Sequence, residues 1–366
     1  MSVIRTRALN RTLLARQFLD ERVPLAPLAA IEHLVAMQGQ FPNSPYLGLR
    51  TRLAPFAHEN LAKLLRDGAV VRSLTLRRTV HVSSGKDYSW LRPAVQPVVA
   101  TALKSSYYAS EIDGLDLDEL TRVGRELLAG STLTRKEFGR LLAERFPGRH
   151  GGRLADTVEV TAALTHTAQN AAWGGWRHPS NVAVTLAEEQ TGVPLSEGRD
   201  LKTLIRRYLA AFGPASVMDV QAWSGLTKLR EVTDAMRGDL RVLKGENGTE
   251  LLDLPDAALA EADRPVPVRF LPAFDNALLG HRDRTRVISD EDRKRYAAGA
   301  AGGVPMFLVD GFAAGTWAFE AATITATPTR PLTDADAAAV LAEGAHLLDF
   351  IAPENPDRRI VLADPR

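Results

Sequence analysis

The stretch Met37-Gln38-Gly39-Gln40-Phe41-Pro42-Asn43-Ser44-Pro45-Tyr46 places two glutamines two residues apart. Each carboxamide offers a carbonyl acceptor and an NH2 donor, so a converging pair could grip one water. Glutamine is no strong base, but it can hold a water against a carbon that is already cationic. Such chemistry suits a good leaving group and an oxocarbenium-like transition state, where positioning and charge stabilisation supply most of the help. A helix carrying Leu28, Ile31, Leu34 and Val35 is expected to run to about Met37. On a continued helix the two glutamines would point to nearly opposite sides. Gly39 and Pro42 are therefore expected to end it, and a left-handed Gly39 would swing Gln40 beside Gln38. On pattern alone, the two residues fit polar capping of a helix C-terminus at least as well.

A second group is Phe274 to Arg286, FDNALLGHRDRTR. Arg282 and Arg284 could contact phosphates, and His281 and Asp283 could face a reacting sugar. A loop held by local Asp–Arg pairs explains the same composition. A third group is Arg72, Arg77, Arg78 and His81 in a β-rich segment, with Arg50 and Arg52 just after the glutamines. Arginine suits both a nucleic-acid backbone and a minor groove; a solvated strand face is the other reading. Trp173, Trp176 and Trp223 read as core anchors. There is no His-x-x-x-His, Walker loop, GxGxxG or Gly-x-Ser-x-Gly, so no metal and no cofactor is expected.

The elements that must position these groups are clearest at 200–255. Asp200 opens LKTLIRRYLAAFG, Gly213-Pro214 stops it, and Ser216 with Asp219 forms a capping box for VMDVQAWS. Gly225 turns the chain into KLREVTDAM, and LRVLKG and TELLDL flank an Asn247-Gly248 hairpin. Helix, helix, turn, helix, hairpin is the order of a winged helix. Residues 1–85 repeat it, with RTLLARQFL after Asn10, the Leu28 helix, NLAKLLRD and a hairpin in VVRSLTLRRTVHVSS. Helices at 118–129 and 135–145, with strands after Gly151, suggest a third copy. The remainder is strand-like, with a turn at Asp310-Gly311 and one helix, DADAAAVLAEGAHLLDFI. The expected class is α+β. The units are 1–110, 111–198 and 199–262 as winged helices, and 263–366 as a small β-barrel with a covering helix.

The chain has 366 residues, 45% hydrophobic content and no cysteine. Disulfides and cysteine chemistry are excluded, and a cytoplasmic, reducing home is expected. The N-terminus has no signal-peptide pattern, and no apolar run suggests a membrane. The net charge of +1 hides an asymmetry, since residues 1–110 carry 15 Lys+Arg against 6 Asp+Glu. A basic segment on a neutral protein points to a local polyanion-binding face.

LNRTLLARQFL, AMQGQFPNSPYLGLRTRL, LRRTVHVSS, LAAFGPASVMDVQAWSGL, VRFLPAFDNALLGHRDR and LVDGFAAGTW, in that order, resemble the AlkZ/YcaQ family of bacterial winged-helix DNA glycosylases. The resemblance implies three tandem winged helices and a C-terminal barrel, forming a C-shaped clamp on double-stranded DNA. It also implies hydrolysis of the N-glycosidic bond of N7-alkylated guanine, including interstrand crosslinks, and a role in antibiotic self-resistance. The family's catalytic motif, Gln, an apolar residue, then Gln or Asp, falls on Gln38 and Gln40, with Gly39 in the middle place. The second glutamine fits the AlkZ-like branch. N7-alkylated guanine is cationic and leaves without protonation, so a positioned water is the main need. No lysine beside the motif suggests a Schiff-base step. The expectation is a monomeric, monofunctional hydrolase leaving an abasic site. The alternatives are a winged-helix regulator, which is usually dimeric, and a non-cleaving damage binder.

Overall fold

The computed structural model describes residues 3–300 and 303–365 and combines sixteen α-helices with three sheets among them, an α+β arrangement. Local signals in the third unit act as read. Asp200 accepts from the Thr203 N–H at 2.9 Å and opens Leu201–Phe212. The Ser216–Asp219 box opens Val217–Ser224, and Gly225 takes φ 82° to close it. Arg230–Ala235 and a hairpin of Arg241–Gly245 with Glu250–Asp253 follow. The N-terminal strand Val3–Ile4 adds to this hairpin in parallel, a pairing no local pattern announces.

In the first unit the helix Thr6–Arg16 begins before Asn10, which is buried within it and donates to Arg286 O and Gly311 O. The next helix, Pro27–Leu34, is shorter than expected because Val35 takes φ 67°. The chain then enters a two-residue strand, Met37–Gln38, which pairs with Val82 and His81. An additional helix, Asn43–Arg52, precedes His58–Arg66 and the hairpin Val70–Leu74/Val80–Ser84.

Leu117–Leu128 and Arg135–Arg145 form as expected. After Gly151 comes a helix, Gly151–Thr161, rather than strands; His150 caps it. The strands Leu164–His166 and Ala183–Leu186 lie beyond. They join the first hairpin through Arg72 and His166, making one six-stranded sheet with Met37–Gln38 on one edge and Leu133–Thr134 on the other.

The C-terminal strands form an open five-stranded sheet, not a closed barrel. Its order is Arg269–Leu271, Met306–Val309, Phe312–Glu320, Thr323–Pro328 and Arg359–Leu362. The helix Asp334–Ile351 crosses over and delivers the last strand in parallel beside Thr323–Pro328, at the edge opposite Arg269–Leu271. The two edges therefore never pair, and the helix covers the apolar face instead.

One core holds Leu13, Val35 and Ala36 together with Leu204, Tyr208, Trp223, Leu271 and Met306. A second joins Ile31, Met37, Tyr46 and Leu49 to Phe270, Trp317 and Phe350. Segments far apart in sequence thus wedge the glutamine stretch between two shared cores. The segment Leu120–Leu186 builds its own cluster around Phe138, Leu142 and Leu154. Among the described residues no helix is long and apolar enough to cross a membrane.

Candidate active site

The glutamine loop is fixed from several sides. Asn276 Nδ2 donates to Ala36 O at 2.9 Å, just before the short strand. The Gly39 N–H donates to Val80 O at 2.9 Å and continues the extended path. Gly39 lies outside the left-handed region, contrary to the expected helix cap. Residues two apart on extended chain share a side, so an extended path through Gly39 can set both glutamines on one side without a turn. A Cβ at Gly39 would stand 3.2 Å from Val82 Cγ2, so a small residue suits this close approach.

The two carboxamides reach adjacent residues of the same strand entry. Thr79 Oγ1, which donates to Leu76 O at 3.1 Å, lies 3.4 Å from Gln38 Oε1, and the Val80 N–H donates to Gln40 Oε1 at 3.4 Å. Each oxygen keeps a second lone pair and each amide keeps its N–H donors. Gln38 is buried and Gln40 half-buried. Gln38 also borders a small cleft, with room for about one water, shared with Gln17, Ser44, Arg52, Asp275 and Asn276. Gln40 stands outside that cleft.

Arg52 and Asp275 are the cleft's ionisable side chains, and they neutralise each other through bonds of 2.8 and 2.9 Å. Behind Thr79, the buried His81 donates from Nδ1 to Thr79 O at 3.0 Å and accepts from Arg77 at 3.4 Å. Burial, reinforced by the Arg77 charge, pushes His81 down to about 3, so the imidazole is neutral at pH 7. No ready proton donor faces the cleft. The arrangement can position a water, and it suits a leaving group that needs no acid.

The other candidate residues divide between interior and surface. Arg72 is fully buried and donates to Gly39 O and Gln40 O. Arg77 donates to Trp223 O at 2.5 Å and Asn276 Oδ1 at 3.0 Å, and burial lowers it to about 10. His281 is buried against Phe212 O at 3.0 Å; burial first, then the Arg286 charge, pushes it to about 3. Asp283 accepts from Thr285 N–H at 3.0 Å and Thr285 Oγ1 at 2.6 Å. Arg50 reaches His346 Nε2 at 2.7 Å and lies over the Phe350 ring. The side chains of Arg78, Arg282 and Arg284 make no hydrogen bond or ion pair among the described residues. Arg78 and Arg282 are exposed and Arg284 is half-buried. The Arg77-Arg78 turn packs on the Gly225 turn, where a Cβ would lie 3.2 Å from Arg77 Cα. Of the tryptophans read as core anchors, Trp223 is fully buried and Trp173 packs among Tyr46, His58 and Phe350. Trp176 is 38% exposed and leans on Phe319, so it is a surface residue rather than a core anchor.

Four non-glycine residues with left-handed φ lie on the segments around the glutamines: Val35 at 67°, Arg77 at 54°, Arg78 at 60° and Phe274 at 63°. Phe274 meets Phe41 with ring centroids 5.7 Å apart. Such backbone strain gathers where surrounding packing fixes a working geometry.

The model of the AlkZ-like DNA glycosylases matches residues 31–350. This chain belongs to the AlkZ-like DNA glycosylase family. It is 25% identical over 362 residues to an interstrand DNA cross-link repair glycosylase of Streptomyces sahachiroi, covering 91% of this chain and 92% of that protein. The solved structure of Streptomyces sahachiroi DNA glycosylase AlkZ superposes with a TM-score of 0.80 at 21% identity, covering 99% of this chain and all of that one. In this AlkZ-like chain, Asp275 and Asn276 were the cleft residues that sequence reasoning passed over in favour of the His281–Arg284 charges. Their signal was the Phe274-Asp275-Asn276 start of an apolar helix, where Asp275 caps Asn276–Leu279.

Proposed function

We propose that this chain is a monofunctional DNA glycosylase that hydrolyses the N-glycosidic bond of N7-alkylated guanine in double-stranded DNA. Bulky adducts and interstrand crosslinks are included, and the product is an abasic site. The observation that carries this reading is the approach of the two glutamine oxygens to the adjacent residues Thr79 and Val80, with Gln38 bordering a cleft without a free acid. The name of the curated Streptomyces sahachiroi relative supports the crosslink class.

The cationic base takes the electron pair of the breaking C1′–N9 bond and becomes neutral. A water held between Gln38 and Gln40 adds its oxygen to C1′, and its proton passes to solvent. The glutamines orient the water without accepting its proton, a positioning role. The helix-and-hairpin units act as three tandem winged helices of a monomeric clamp, with divisions near residues 110, 198 and 262. Arg78, Arg282 and Arg284 offer free guanidinium groups for phosphates, with Arg50 at the flank.

The test is a single-turnover incubation with duplex DNA carrying N7-methylguanine. Free base and alkali-labile sites are expected. Tight binding with no released base overturns the enzyme reading in favour of a damage binder.

A further inference from the structure

Arg72 sits in the strand Val70–Leu74 with no exposed surface. Its Nε donates to Gly39 O at 2.9 Å and its Nη2 to Gln40 O at 3.4 Å, so one guanidinium grips two successive carbonyls of the glutamine loop. Its Nη1 donates to His166 Nδ1. The other nitrogen of that ring, Nε2, donates to Glu159 Oε1 at 2.8 Å. Glu159 is paired in turn with Arg135, which also lies 3.3 Å from Asp156. His166 and Glu159 come from Leu164–His166 and Gly151–Thr161, so the second unit supplies the far half of this chain of contacts. Arg72 and His166 are also the backbone pair that joins the two halves of the six-stranded sheet.

Gly39 has no side chain to pack, and glycine leaves its backbone the widest torsional freedom. Two bonds from a rigid fork remove that freedom at the peptide preceding the Gln40 side chain. A guanidinium out of water is costly unless its donors are satisfied. Here two carbonyls and an imidazole satisfy it, while Glu159 supplies the countercharge. Burial would raise Glu159, but His166 and Arg135 hold it down to about 2, so the carboxylate is ionised.

We propose that Arg72, His166 and Glu159 form a positioning relay by which the second unit sets the orientation of Gln40. Arg72 on this view is a positioning residue, not a DNA contact. The proposal rests on the glycosylase reading for its kinetic consequence, but its structural consequence is independent of that reading.

Two readouts on the full-length protein test it. The first is single-turnover release of N7-methylguanine by the wild type, Arg72→Lys, Gln40→Ala and the double variant. Lysine keeps the charge and loses the fork. The expected loss for Arg72→Lys is about tenfold to a hundredfold, the scale of a small misplacement, with duplex affinity unchanged. In the Gln40→Ala background the same change is expected to cost nothing more. Equal losses in both backgrounds, or weakened binding to undamaged duplex, overturn the relay. The second readout is amide hydrogen exchange of the peptide containing residues 38–43, expected to quicken in Arg72→Lys; unchanged exchange overturns the relay. Glu159→Gln, which touches no loop residue itself but removes the countercharge behind Arg72, carries both readouts with the same expected and overturning results if Arg72→Lys fails to fold. If the wild type releases no base, the glycosylase reading fails alone, and the exchange result still decides the relay.

Discussion

Arg72 and Arg78 belong to one hairpin, yet they end in opposite settings. Arg72 is enclosed among carbonyls and an imidazole beside the glutamine loop, while Arg78 stands exposed at the turn. The loop after Gly280 repeats the division, with His281 and Arg286 inside and Arg282 outside. Inside the molecule, guanidinium groups stitch together segments remote in sequence. Arg11, Arg52 and Arg92 do so as well. Part of the basic surplus of residues 1–110 is therefore internal mortar. The charge left free for a polyanion is smaller and more localised than composition suggests.

The comparison breaks most visibly at Arg52. Its buried bidentate pair with Asp275 spans 223 residues. Arg52→Ala strands a carboxylate and is expected to cost about 3–5 kcal/mol, seen as a drop in the chemical-denaturation midpoint. A loss below about 1 kcal/mol would place this pair with surface bridges.

Acid sharpens the same boundary. His81 and His281 are held near 3 in the folded chain, against about 6.5 when unfolded. Between those values the unfolded state binds more protons, so stability falls as pH drops below about 6.5. The loss is on the order of 2 kcal/mol per histidine by pH 5. Thermal unfolding from pH 7.5 to 5 checks this, and a flat Tm contradicts the neutral, buried assignment.

The smallest stability effect belongs outside. Arg78→Ala is expected to shift stability by less than about 0.5 kcal/mol. Its duplex affinity should fall, with the salt slope reduced by about one unit. An unchanged slope removes Arg78 from the proposed DNA face.

Local chemistry made much of this structure legible in sequence. Asp200, Ser216 with Asp219, Gly225 and Asn247-Gly248 each act within a few residues of themselves, and the third unit follows them. The glutamine site was legible in its residues but not in its geometry. Gln38 is placed by pairing with His81, and Arg72 finds its partners at positions 39, 40 and 166. No periodicity within residues 28–45 contains those partners. Val35, a β-branched residue at φ 67°, ends its helix against local preference, because packing in the shared core overrides it. The open C-terminal sheet was missed for a similar reason: strand content was visible, but the parallel return of Arg359–Leu362 depends on a crossover helix.

The most direct test of the glutamine pair compares base release by wild type, Gln38→Ala and Gln40→Ala on duplex DNA carrying N7-methylguanine, with binding measured alongside. The account predicts release by the wild type and a loss of about a hundredfold or more in each variant, with affinity retained. Release that persists undiminished in both variants would contradict it.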